Sequence, residues 1–261
     1  MDFTLSAYKE LLTSLLNQGY TFQTFEKFLV NPKPKAIVLR HDVDLLPRNS
    51  LTTAQIENNL GICGSYYFRI TDKSFNVSII KQIAALGHEI GYHYETMDSC
   101  NGNIDLAYEE FKTNLNKFRQ ILSVSTVCMH GSPLSKYDNR KIWDKYSYKQ
   151  LGIIGEPYYD VDFSSVLYLT DTGRRWDGDK VSVRDKVNIS GEISHFDHYE
   201  IHSTYDIIKA LKANKLPVKI MINVHPQRWT DNYFAWLKEL ILQNVKNQIK
   251  RIIVKKRFIN S

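Results

Sequence analysis

The chain has 261 residues, 43% hydrophobic and 24% charged, and its 34 Lys and Arg against 28 Asp and Glu give a net charge of +6. This composition excludes disordered, collagen-like and coiled-coil chains, and no apolar run reaches the ~18 residues a membrane span needs. A chain this long can bury a core without disulfides or a structural metal, and we expect a single domain over 1–261.

Leu5 to Leu16 has apolar residues at helical spacing, with Gly19 as a stop signal. Ala36-Ile37-Val38-Leu39 is a continuous apolar run, the mark of a strand buried on both faces. A helix over Asn49–Leu60, a strand over Ser65–Ile70, a helix over Val77–Leu86 and a strand over Glu89–Tyr94 follow. Next come a long helix, Ile104–Ile121, and a strand, Thr126–Met129. Ile153-Ile154 and Val166–Leu169 read as fifth and sixth strands, and Lys180–Ile189 as an extra hairpin arm. A helix over Thr204–Leu211, a last strand over Val218–Val224 and a closing amphipathic helix from Tyr233 to about Ile252 complete the chain. Strands alternating with helices predict a parallel sheet. Without a Gly-rich phosphate loop after the first strand, seven strands favour a distorted (β/α) barrel with an added N-terminal helix over a doubly wound sheet.

In such a barrel the site lies at the C-terminal strand ends. Five strands end there in ionisable residues: Arg40-His41-Asp42-Val43-Asp44, His93-Tyr94-Glu95, His130-Gly131-Ser132-Pro133, Asp171 to Asp177, and His225-Pro226. Asp42 and Asp44 are two apart and share a face. Two close carboxylates call for a cation between them or a raised pKa on one. The competing reading is a helix-capping Asp with a salt bridge to Arg40 or Arg48. His88-Glu89 with His93 is not a zincin pair, because the histidines stand at i and i+5 with Gly91 between. His88 belongs at the barrel bottom as a structural residue.

Asp42-Val43-Asp44 resembles the paired-Asp motif of the NodB-homology polysaccharide deacetylases, carbohydrate esterase family 4. Gly87-His88-Glu89-Ile90-Gly91-Tyr92-His93 resembles their second motif, Pro133 their third and His225 their last. The resemblance spans roughly 36–226, the motif-bearing core. It implies a metal-dependent removal of N- or O-acetyl groups from amino sugars and glycans. Asp42 is then the general base, Asp44 and His93 are metal ligands, and His225 is the general acid. The family's further histidine is replaced by Met97, a poor ligand for such a cation. His130 is the first candidate to replace it and Glu95 the second. The role of the family's base-steadying Arg falls to Arg174 or Arg175, with Trp176 walling the acyl pocket and Pro133 supporting. Zinc is the expected ion, and a metal-free site is the alternative because of Met97.

The expected function is a deacetylase-type hydrolase acting on an acylated amino sugar or polysaccharide precursor, nucleotide- or lipid-linked. The alternatives are a non-sugar amidohydrolase or deformylase on the same barrel, and an inactive carbohydrate-binding barrel. Met1-Asp2-Phe3-Thr4 lacks the marks of a signal peptide. Cys63, Cys100 and Cys128 read as free thiols, so we expect a cytoplasmic protein. No nucleic-acid partner and no transmembrane segment are expected. His195 and His198 read as loop or surface residues and His202 as structural. Tyr158 and Tyr159 either stack on a sugar ring or pack at the rim. The basic tail (Lys246, Lys250, Arg251, Lys255, Lys256, Arg257) reads as a solvated helix face, with peripheral contact to anionic lipid the alternative.

Overall fold

The computed structural model describes residues 1–132, 135–176 and 201–259, with side chains through 249. Pro133, the arm at 180–189, His195 and His198 lie outside the described residues.

The chain opens with α1 (Leu5–Asn17), capped by Thr4, whose hydroxyl accepts from the Ala7 amide. Its buried Ala7, Tyr8, Leu11, Leu12 and Leu15 recur at helical spacing. β1 (Thr21–Gln23), α2 (Phe25–Val30) and β2 (Ala36–Val43) follow. The predicted apolar run is the first half of β2; all eight of its residues are buried, including Arg40, His41 and Asp42. Next come α3 (Pro47–Asn59), β3 (Ser65–Phe68), α4 (Val77–Ala85), β4 (Glu89–Tyr94), α5 (Thr96–Ser99), α6 (Ile104–Arg119) and β5 (Val127–Met129). The rest is α7 (Pro157–Asp160), β6 (Leu167–Thr170), α8 (Thr204–Lys212), β7 (Lys219–Val224) and α9 (Tyr233–Ile259).

Every described strand pair is parallel, in the order β5-β4-β3-β2-β7-β6. β1 and β3 occupy successive stretches of β2: β1 pairs with 36–38 and β3 with 40–43. The sheet curls, because Val38, Tyr67, Cys128, Tyr168 and Met221 from five strands meet in one inner cluster. Phe25 and Phe28 of α2 join that cluster. Gly91 allows the curl at one point: a Cβ there would stand 2.3 Å from the Tyr67 ring. The expected barrel of about seven parallel strands is therefore the architecture, as an incompletely closed sheet.

Among the strands, two differ from expectation. β1 is a strand that sequence pattern does not announce. Ile153-Ile154 is not one; Gly152 turns the chain in the left-handed region, and only a single bridge, Thr126 to Gly155, forms nearby.

The helix-facing side of β2 carries a buried polar network. Glu57 of α3 accepts from Tyr8 (2.7 Å) and Tyr66 (2.6 Å), and its Oε1 lies 3.0 Å from His41 Nε2. His41 Nδ1 donates to the Ser65 carbonyl (3.2 Å). His88 donates to the Ala54 carbonyl and accepts from the Gly64 amide, which bears out its structural reading.

Candidate functional site

Strand alternation sends Arg40 and Asp42 to the inner face while His41 and Val43 face the helices. Arg40 donates Nε to Asp42 Oδ1 (3.0 Å) and Nη2 to Oδ2 (2.7 Å), and Asn223 of β7 adds a bond to Oδ2 (3.0 Å). Burial alone would raise the Asp42 pKa, but Arg40 outweighs it and holds the carboxyl well below the ordinary range. Both readings of the Asp pair thus meet in one place: Asp42 has its Arg40 salt bridge and also sits at the rim.

Asp44, just past β2, is the point on which three imidazoles converge. Its Oδ1 lies 3.7 Å from His93 Nε2 and 3.5 Å from His130 Nε2, and its Oδ2 lies 3.9 Å from His225 Nε2. These separations exceed a good hydrogen bond, and the buried Oδ1 has no hydrogen-bond partner. His93 ends β4. Its Nδ1 donates to the Cys128 carbonyl (3.0 Å), which leaves the Nε2 lone pair aimed at Asp44. Burial holds this ring neutral, its pKa lowered to about 4.

His130 is placed by the sheet, its amide donating to Tyr94 O (2.8 Å), and by Asn139, which donates to its carbonyl (2.8 Å). Glu95 Oε2 lies 3.0 Å from its Nδ1, and Arg69 grips Glu95 with three bonds of 2.7–3.0 Å. Burial would lower the His130 pKa, but Glu95 and Asp44 raise it. Burial likewise opposes ionisation of Glu95, whose pKa His130 and Arg69 bring down to about 2.

The donor set fits a divalent ion. Asp44, His93 and His130 each offer one ligand atom, all within 4.8 Å of one another. The buried Asp44 Oδ1 has no hydrogen-bond partner; His93 is backed through Nδ1 by the Cys128 carbonyl, as second-layer partners of metal-bound histidines are, and the Glu95 carboxylate lies 3.0 Å from His130 Nδ1. Two imidazoles and one carboxylate suit zinc.

His225 follows β7. Its amide and Nδ1 both bond Asp171, at 2.9 and 2.6 Å. Asp171, just after β6, also accepts from Arg228 Nη1 (2.5 Å) and Trp229 Nε1 (2.8 Å). Burial opposes its charge, yet Arg228 and His225 hold its pKa low.

The structure thus brings Asp42, Asp44, Glu95, His93, His130 and His225 together at one end of the sheet. It does not bring Arg174 and Trp176 there. Arg174 reaches Trp236 O (2.8 Å) and stacks over Phe3 and Trp236. Trp176 lies in the core beside Trp229 and donates to Thr204. Arg175, between them, is half-buried. Arg40 makes the contact to Asp42 that was expected of Arg174 or Arg175. Met97 is equally far from its expected place. β4 ends at Tyr94, α5 begins at Thr96, and the thioether packs in the helix-side cluster with Tyr94 and Phe111.

Asp171 was placed at the rim from sequence but given no role, and Arg228, Asn223 and Arg69 were given none either. One signal did point to Asp171: it stands immediately past its strand, as Asp44 and His225 stand past or at the ends of theirs. Tyr158 is a rim residue whose hydroxyl accepts from Arg40 (3.4 Å), and Tyr159 is exposed. Among the described residues, no helix is long and apolar enough to cross a membrane.

Among solved structures, the chain is similar to a CE4 family pseudoenzyme from Bacillus anthracis, at 12% identity and a TM-score of 0.42, over 82% of this chain and 61% of that one. It is also similar to a mutant of that pseudoenzyme with restored enzymatic activity, at 12% identity and a TM-score of 0.41, over 82% and 63%. The chain therefore spans under two thirds of the length of the structures it matches. No family model and no curated protein matches it.

Proposed function

We propose that the chain is a divalent-metal hydrolase that removes an acyl group, acetyl in the first instance, from an amino sugar or polysaccharide precursor. The observation that carries this reading is the convergence of His93 and His130 on an unpartnered Asp44 oxygen, with Asp42 and His225 beside it. Asp44, His93 and His130 would hold the ion, and its chemistry there is to polarise the acyl carbonyl and acidify water.

The chain's own residues do the rest. Asp42, fixed in its ionised form by Arg40 and Asn223, orients the attacking water and accepts its proton. His225 is held in one orientation by its Nδ1 bond to Asp171, which leaves Nε2 on the site side. A proton carried at Nε2 goes to the leaving amine or alkoxide. Glu95 and Arg69 hold the His130 ring. Arg40 and Arg140 both lie 5.4 Å over the Tyr158 ring at the rim.

The inactive-barrel reading rested on Met97, and the packing of Met97 away from the site supports the hydrolase instead. The test is metal analysis of purified protein alongside acetate release over a panel of acetylated amino sugars. We expect near-stoichiometric divalent metal and release from at least one substrate, with both falling in His93→Ala. Full metal occupancy in that variant would overturn the ligand assignment.

A further inference from the structure

Helix α9 is amphipathic in the wrong sense for a helix that only packs on its own domain. Its body-facing residues include Gln243 and Asn247, 4% and 7% exposed. Asn247 donates to Gly173 O (2.8 Å), and Gln243 donates to Asn247 (3.0 Å). Its outward residues include an apolar set among Lys238, Asn244, Lys246 and Gln248: Phe234 is 81% exposed, and Ile241, Leu242, Val245 and Ile249 are all exposed. Phe234, Ile241, Val245 and Ile249 recur at helical spacing along one stripe of about 23 Å.

The same helix holds seven Lys and Arg (Lys238, Lys246, Lys250, Arg251, Lys255, Lys256, Arg257) against one acid, Glu239. That is the whole net charge of +6; the rest of the chain is balanced at 27 basic and 27 acidic residues.

We propose that α9 is an interfacial helix that docks on an anionic lipid bilayer, its apolar stripe in the headgroup region and its basic residues against lipid phosphates. Apolar stripe and basic excess together are the signature of such helices. A second copy of the chain is a poor occupant, because two α9 helices face to face would oppose two like charges of +6. A nucleic acid would satisfy the charge and leave the stripe in water.

The placement deepens the proposed hydrolase function and rests on it for its meaning. Gly173 and Arg174, which bond α9, lie two and three residues past Asp171, the partner of His225. A membrane-docked hydrolase would meet an acylated sugar linked to lipid more readily than one linked to a nucleotide.

The test is co-sedimentation of the full chain with phosphatidylcholine vesicles, with and without about a third of phosphatidylglycerol, at low and high salt. Wild type should sediment with the anionic vesicles, release in high salt and ignore the neutral ones. The triple variant Ile241→Ser, Val245→Ser, Ile249→Ser should bind at least about tenfold more weakly. Its folding should be intact, since these side chains are exposed. Lys238→Gln and Lys246→Gln should each weaken binding about fivefold. The proposal is overturned if wild type stays in the supernatant, if neutral vesicles bind equally, or if the triple variant sediments like wild type. It is also overturned if lipid-free wild type is a dimer that the triple variant dissociates. His93→Ala should sediment unchanged. Vesicle binding without hydrolysis of any acylated sugar would remove the hydrolase reading alone, and hydrolysis without vesicle binding would remove the docking alone.

Discussion

Adjacent residues of β2 belong to two buried acid–histidine clusters, one on each face of the sheet. On the helix side, Glu57 gathers Tyr8, Tyr66 and His41, and both ring nitrogens of His41 and His88 are engaged by protein groups. On the inner side, Asp44 is approached by Nε2 of His93, His130 and His225 at 3.5–3.9 Å, with one carboxylate oxygen unbonded. Residue types are alike and each cluster leaves one carboxylate oxygen without a hydrogen bond, Glu57 Oε2 and Asp44 Oδ1; what differs is burial and where the ring nitrogens point. The first cluster is fully enclosed in the core, whereas Asp44 and His130 are only half-buried at the strand ends. The second has Nδ1 of His93 and His225 bonded to protein groups and Glu95 3.0 Å from Nδ1 of His130, with all three Nε2 atoms turned toward Asp44.

The largest expected difference between the clusters is in stability. Glu57→Ala removes the acceptor shared by Tyr8 and Tyr66 and the carboxylate beside His41 and should cost about 3–5 kcal/mol in urea unfolding, with metal content per folded molecule unchanged. His93→Ala should show the reverse pattern. A Glu57→Ala protein of wild-type stability would erase the contrast.

A pH titration sharpens it. His93 is held neutral down to about 4 from an ordinary 6.5. Between those values the unfolded chain takes up a proton that the folded chain does not. Stability of the metal-free protein should therefore fall as pH drops from 6.5 to 4, by roughly 3 kcal/mol from this residue. His93→Gln should lose that part of the slope in paired unfolding curves.

Next is the rate. Asp42→Asn keeps the shape but loses the proton acceptor, and should lower kcat about 10²-fold with the metal retained. An unchanged kcat removes Asp42 from the chemistry. Glu95→Gln should loosen His130 and weaken metal binding about 10- to 100-fold, measured by competition with a chromogenic chelator. The smallest effect is a null one. Met97→His should not restore metal to His130→Ala, because residue 97 faces the apolar helix-side cluster.

How far each cluster could be read from sequence follows from what made it. Asp42, Asp44, His93 and His225 were legible because strand ends and alternation are local facts. His130 was legible as the end of the strand beside β4. Arg40 was visible only as a salt-bridge partner, and its role was sought at Arg174. Whether an arginine two residues upstream reaches the carboxylate depends on Tyr158 and Tyr168 around its guanidinium, which no periodicity reveals. Asp171 was given no role because its partner His225 comes from another strand, in a register (Thr170 with Asn223) fixed by the pairing of β6 and β7. β1 has only three residues, too few to show an alternation, and exists because β2 offers it an edge. Met97 was misplaced by assuming that an i, i+4 spacing persists across a strand end.

The edges of β2 also set an order of assembly. Along one edge, β1, β3, β4 and β5 follow in chain order, so Asp44, His93 and His130 all lie within one stretch of under a hundred residues. The other edge waits for β7, whose Lys219 pairs with Ala36. Closing so long a loop costs more chain entropy than the neighbouring pairings, and long-range parallel pairing is slow. A chain emerging from synthesis would thus acquire its three ligand positions well before the His225–Asp171 pair arrives. A cation present at that stage would favour the early half of the sheet, as a template on which the later half docks.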